Sequence, residues 1–201
     1  MLDKIKGIVI KTRDYGETNK IVTIYSANAG KFSAVAKGAK KPKSRMAAVT
    51  QPFIYGEFLV FMGSGLGTIQ QGDVLTSFRE IRQDIFKTAY ASYVLELTDK
   101  LVEEKQADAF LFQQLYNTLE WISKTDSAQV PIMMYEMKLF AKGGFAPVLD
   151  YCVSCHSKQL PYAFSINEGV FYVRNANSRI LQPLNCRMPS ANYCIHSCMS
   201  E

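Results

Sequence analysis

The sequence predicts an α+β protein in which a small five-stranded β-barrel is followed by a helical domain. Three observations carry that expectation. Short β-branched runs separated by turn residues recur through residues 1–78, apolar residues then recur with a helical period through 79–149, and all five cysteines fall after residue 150. The chain therefore divides into a barrel over 1–78, a helical domain over 79–149, and a cysteine-containing zinc-finger-like module with an atypical tail over 150–201.

The first strand is expected over Lys4–Thr12, around Ile8-Val9-Ile10, and the second over Lys20–Tyr25, with Ile21, Val22, Thr23 and Ile24. Asp14-Tyr15-Gly16-Glu17 supplies the turn between them. After Asn28-Ala29-Gly30, a third strand spans Lys31–Lys37. There Lys31, Ser33, Val35 and Lys37 alternate with Phe32, Ala34 and Ala36, the period-2 pattern of a half-buried strand. Phe53–Phe61 and Gly67–Phe78 make the fourth and fifth, joined at Gly63-Ser64-Gly65. Five short strands in under eighty residues predict a small barrel. The OB-fold is the five-stranded barrel that serves on oligonucleotides.

From Thr76 the period becomes helical: Ile81, Ile85, Ala89, Tyr93, Leu97 and Leu101 recur every four residues, with Phe86, Tyr90 and Val94 widening the stripe. Ser77 or Thr76 is the expected cap, with Glu80 completing a capping box from Ser77. A second helix is expected from about Ala107 to Ser123 on Leu111, Leu115, Leu119 and Ile122. A third is expected from Pro131 to Lys142, stopped by Gly143-Gly144. Aromatics at these spacings read as core, because burial of one face is what stabilises such helices.

The charge is unevenly placed. Residues 1–50 carry eleven Lys or Arg against three Asp or Glu, and the remainder carries twelve against fifteen. Much of the excess lies in Lys37-Gly38-Ala39-Lys40-Lys41-Pro42-Lys43-Ser44-Arg45, between the third and fourth strands. Five cations in nine residues repel one another, so a core gains nothing from them; a polyanion would neutralise them. Nucleic acid is thus the expected partner, set against a merely solvated loop. No apolar stretch approaches twenty residues, and the first residues lack the apolar core of a secretory signal. The expectation is a cytoplasmic protein, without a membrane partner, whose thiols are reduced or metal-bound.

Cys152-Val153-Ser154-Cys155 places two thiols on one turn, a spacing that suits Zn²⁺ if a second pair completes the tetrahedron. Cys186, Cys194, His196 and Cys198 remain as candidates, and Cys194 with Cys198 is the pair carried forward. The match of Cys152 to His156 with a haem-attachment pattern has no export signal to support it. Catalytic sets are missing: both histidines lie among the cysteines, and Gly63 to Thr68 lacks the lysine of a phosphate loop. Binding rather than catalysis is the expectation.

Taken together, Gly7-Ile8-Val9-Ile10, Asp14 through Val22, Gly38 through Arg45, Gln51-Pro52-Phe53, Gly65 through Gly72 and Thr88 through Tyr93 resemble the bacterial RecO family of recombination mediators. The resemblance runs in order over about residues 1–170. It implies an N-terminal OB-fold, a central helical domain and a four-cysteine zinc module. It also implies a protein that binds single- and double-stranded DNA, anneals complementary strands and works with RecR. With RecR it would assist loading of RecA onto DNA covered by single-strand-binding protein. Lys37, Lys40, Lys41, Lys43 and Arg45 match the family's DNA-contacting loop, with Lys11 and Arg13 extending it. Tyr15 and Phe32 are candidates for base stacking or, equally, for the core. The competing reading is a protein-interaction adaptor for RecR and single-strand-binding protein with little DNA binding of its own.

The resemblance departs at the C-terminus. Cys152 and Cys155 match the family's first zinc pair, but Val170 through Asn175 hold no cysteine where its second pair stands. The Asn-, Ser- and Cys-rich tail beyond Tyr172 resembles translation in a shifted reading frame. The expectation is a truncated or frameshifted copy with an incomplete zinc site; the alternative is a divergent tail that closes the site with Cys194 and Cys198.

Overall fold

The computed structural model describes residues 2–158 apart from 42, 64 and 126, together with 163–165 and 169–172. They fall in two units, residues 1–143 and 144–201. In the first, β1 (Leu2–Tyr15), β2 (Asn19–Ser26), β3 (Gly30–Ala36), β4 (Tyr55–Phe61) and β5 (Gly67–Thr76) close into a barrel in the order β1-β2-β3-β5-β4. Neighbours are antiparallel except β3 and β5, which pair in parallel from Ala34 opposite Gly67 to Ala36 opposite Ile69.

β1 closes the barrel because it is long enough to serve two partners. Leu2–Ile8 pair with β4, and Ile8–Tyr15 pair with β2. A register shift between Val9 and Lys11 bends the strand between these roles. Its apolar run is continuous because both of its faces are covered. Val9 packs inside the barrel with Val22, Ile24, Phe32, Phe58 and Val60, whereas Ile8 and Ile10 join a second core shared with the helices.

Between β3 and β4 lies the short helix α1 (Arg45–Val49). After β5 come α2 (Arg79–Gln83), α3 (Ile85–Leu101), α4 (Ala109–Lys124) and α5 (Gln129–Lys142). Leu111, Leu115, Leu119 and Ile122 of α4 are all buried, as their spacing predicts. Gly144, at φ 78°, supplies the left-handed residue after α5. An aromatic seam joins barrel to helices: Phe112 packs on Tyr25 and Tyr55 with ring centroids 5.9 and 6.1 Å apart, and Tyr116 packs on Tyr55 and Phe78 at 5.3 and 5.5 Å.

The long helix expected from Thr76 to Leu101 is two helices. Asp84 is extended, and its carboxylate accepts the N–H groups of Phe86 and Lys87 at 2.8 and 2.9 Å, so it ends α2 and caps α3. The break resets the helical phase. The buried face of α3 is Ala91, Val94, Leu95 and Thr98, while Ile85, Ala89 and Tyr93 of the expected stripe are exposed. Nor does Ser77 cap the first helix. Phe78 holds that position in the left-handed region, without a side-chain cap, and its buried ring packs on Tyr116. Burial of the ring outweighs the capping pattern here.

Two strand details also differ. β4 starts at Tyr55 rather than Phe53, because Phe53 is left-handed at φ 68° with its side chain in the helical core. Lys31, expected on the solvated face of β3, is buried. The α3–α4 connection crosses it, with the Lys105 N–H donating to the Lys31 carbonyl at 2.8 Å. In the second unit, β6 (Ala163–Ser165) and β7 (Val170–Tyr172) form a hairpin, and Val148 bridges to Val170.

Candidate nucleic-acid interface

The basic segment after β3 is pegged on both sides of one small residue. The Gly38 N–H donates to Asn19 Oδ1 at 3.0 Å and the Lys40 N–H to the Thr18 carbonyl at 2.9 Å, both on the β1–β2 hairpin. Ala39, between them, is buried in the barrel core. The Lys41 N–H then returns to the Gly38 carbonyl, and the Ser44 N–H to the Lys41 carbonyl, each at 3.1 Å. These turns lead into α1, which Arg45 begins. A charged run with an apolar anchor is thereby held against the barrel while its cations face outward.

Lys37, Lys40, Lys41, Lys43 and Arg45 are all exposed, as are Lys11 and Arg13 on the last third of β1. Since β1 feeds the hairpin that pegs the loop, Arg13 lies beside Asp14, which touches Lys40; Lys11 lies farther back along the strand. Two of the seven candidates already hold carboxylates. Lys40 Nζ stands 3.0 Å from Asp14 Oδ2, and Lys11 Nζ 2.6 Å from Asp99 Oδ2 on α3. Lys11 also lies in the field of Glu96, whose carboxyl is held below its ordinary range first by Lys100 and further by Lys11. Among the described residues no ion pair holds Lys37, Lys41, Lys43, Arg45 or Arg13.

The stacking candidates separate. Tyr15, at the end of β1, is 50% exposed, but Phe32 is buried inside the barrel beside Ile24 and is no longer a candidate. Sequence reasoning missed the residues that position the site. Thr18 and Asn19 sit in a recognisable turn and were within reach of it; Asp99, 88 positions from Lys11, carried no local signal.

The zinc candidates are placed only in part. Cys152 and Cys155 share a tight turn, in which the His156 N–H donates to the Cys152 carbonyl at 2.8 Å and the Cys152 N–H to the Ser157 carbonyl at 2.9 Å. Cys152 is buried and Cys155 exposed. His156, left-handed at φ 57°, stacks on Tyr151. Two thiols can supply at most half of a tetrahedral thiolate site. Cys194 and Cys198 lie outside the described residues, among which no cluster of three metal-ligating side chains occurs. No described helix is long and apolar enough to cross a membrane.

A closed five-stranded barrel with a cationic loop on its hairpin end and helices packed on one flank is an OB-fold protein with an appended helical domain. Residues 1–78 match the family model of the recombination protein O N-terminal domain, and residues 82–190 that of its C-terminal domain. The chain is 63% identical over 169 residues to the DNA repair protein RecO of Oceanobacillus iheyensis, covering 84% of this chain and 66% of that protein. To the proteins of the same name from Bacillus mycoides and Bacillus cereus AH187 it is 52% and 51% identical over 171 residues, covering 85% of this chain and 69% of each. The chain belongs to the RecO family of DNA repair proteins, and its alignments span about two thirds of the length of these relatives.

Proposed function

We propose that this chain is a DNA-binding recombination mediator that binds single- and double-stranded DNA, anneals complementary strands and, with RecR, assists RecA loading onto DNA covered by single-strand-binding protein. The observation that carries the reading is the pegged basic segment, with Lys37, Lys40, Lys41, Lys43 and Arg45 all turned to solvent. A loop of this kind acts by neutralising phosphates and releasing their counterions, so affinity falls steeply with salt and depends little on sequence. Such work needs no bond-making chemistry, and the protein is read as a non-enzyme acting in the cytoplasm on the nucleoid. If the tail closes the site, Cys152 and Cys155 with Cys194 and Cys198 would hold a structural Zn²⁺; a truncated or frameshifted copy would leave that site incomplete.

The test is binding of a fluorescent single-stranded oligonucleotide across a salt series by the wild type and by a K40A/K41A/K43A variant. The expected result is a large loss of affinity and a shallower salt slope. Unchanged affinity and slope would remove the loop from the interface.

The adaptor reading is favoured by a different observation: Ile85 and Phe86 at the start of α3 are 76% and 71% exposed, an apolar pair of the kind partners cover. Capture of RecR or single-strand-binding protein by the triple variant, together with no DNA affinity in the wild type, would favour it.

A further inference from the structure

Two of the interface lysines are not available as they stand. Lys40 Nζ lies 3.0 Å from Asp14 Oδ2, and Lys11 Nζ lies 2.6 Å from Asp99 Oδ2. We propose that Asp14 and Asp99 are resident counterions of the interface, each occupying the ammonium that a phosphate would take. Lys40 and Lys11 then engage nucleic acid by exchanging a carboxylate for a phosphate, while Lys37, Lys41, Lys43 and Arg45 engage it directly. This inference rests on the DNA-binding reading above and adds the two acids that set its affinity.

The geometry makes both exchanges inexpensive. The Asp14 side chain is 64% exposed, so once displaced it is solvated by water. Lys40 stays close to it because the backbone of Lys40 is pegged to Thr18 on the hairpin that Asp14 enters. Asp99 is more enclosed, at 19% side-chain exposure, but it has a second cation. Lys31, whose side chain is 9% exposed, stands 3.7 Å from Asp99 Oδ1 and donates to the Asp99 carbonyl. When a phosphate takes Lys11, Asp99 keeps Lys31, and no buried charge is stranded. The Lys11–Asp99 pair also spans barrel and helix, so engagement at Lys11 loosens one tie between them.

Exposed pairs of this type are weak, so each exchange should be worth about twofold to fivefold in affinity. The experiment is oligonucleotide binding from low to moderate salt by the wild type, D14N, K40A and K40A/D14N, with E17Q as a charge control. Glu17 lies on the same exposed hairpin, and no described cation pairs with it. D14N is expected to bind about twofold to fivefold tighter, most clearly at low salt, with a clearly smaller gain in the K40A background and in E17Q. Equal gains in all three settings would mean that Asp14 merely repels DNA, and no gain in D14N would mean that it does nothing; either overturns the proposal. D99N against K11A/D99N repeats the cycle at the second pair, with the D14N arm deciding alone should D99N fail to fold. If K40A/K41A/K43A binds like the wild type, the loop is not in the interface, and if the wild type itself shows no salt-dependent binding, the DNA-binding reading has failed; both results are separable from the others.

Discussion

Gly30 lies directly beneath the backbone of Gln106: a Cβ on this glycine would stand 2.5 Å from the Gln106 carbonyl oxygen. Gly30 is also left-handed, at φ 67°, in the turn that opens β3. The α3–α4 connection can cross the barrel only because nothing projects there. G30A should therefore destabilise the protein by at least about 2 kcal/mol, from strain and overlap together. Denaturant unfolding measures this, and a loss below about 0.5 kcal/mol would mean the connection has room to lift.

Asp108 starts α4 by accepting the Leu111 N–H at 2.8 Å and pairs with Lys142 at 3.0 Å. The Leu111 hydrogen bond, helped by Lys142 and opposed by burial, holds its carboxyl below the ordinary range. A folded pKa below the unfolded value of about 3.9 means stability that is present above pH 4 and lost as pH falls through the folded pKa. D108A should cost about 1–2 kcal/mol at pH 7 and flatten the acid limb of the stability profile. An acid limb of unchanged slope would assign it to other carboxylates.

Tyr25 behaves oppositely. Burial first, and the Asp108 charge second, push its phenol up to about 12. In the unfolded chain it ionises near about 10, so the stability it contributes is intact below pH 10 and declines as pH rises through 12. Its hydroxyl donates to the Asp108 carbonyl at 3.3 Å, a weak bond, so Y25F should lose about 1 kcal/mol or less at pH 7 and resist alkali better. Parallel alkaline unfolding curves for the two proteins would contradict this.

Tyr15 should add stacking without adding charge. Y15A is expected to weaken single-stranded DNA binding by about 1–3 kcal/mol and leave the salt slope unchanged. Replacing Lys41 or Lys43 with Ala should instead lower the slope by about 0.7 each. Tyr15 ends the strand that feeds the hairpin on which the loop is pegged.

Zinc content tests the cysteine module. An incomplete site predicts a wild type without zinc; a tail that closes the site predicts zinc that C194S and C198S lose as completely as C152S and C155S. Elemental analysis of the purified variants measures it; metal retained in C194S and C198S would place the second pair elsewhere.

The first two barrel strands were legible as β-branched runs bounded by turn residues, the third by its alternation, and α4 because its leucines keep a single phase. The break at Asp84 was not, since Ile81 and Ile85 fit one helical stripe and only the geometry shows that Asp84 caps a new helix between them. Lys31 looked like a solvated residue of an alternating strand. Its burial depends on a connection some seventy positions away. Of the candidate interface, the cations were plain in the chain and their carboxylate partners were not.

From local sequence alone came the number of barrel strands, the place of the cationic loop and the family, because turn chemistry, side-chain period and charge density are properties of neighbouring residues. Tertiary structure decided which residues those cations meet. It set Lys11 against Asp99, buried Phe32 and Lys31, and turned the buried face of α3 to Ala91, Val94, Leu95 and Thr98. Such pairings depend on how the barrel closes and where the helices land on it, and no short window of the chain contains that information.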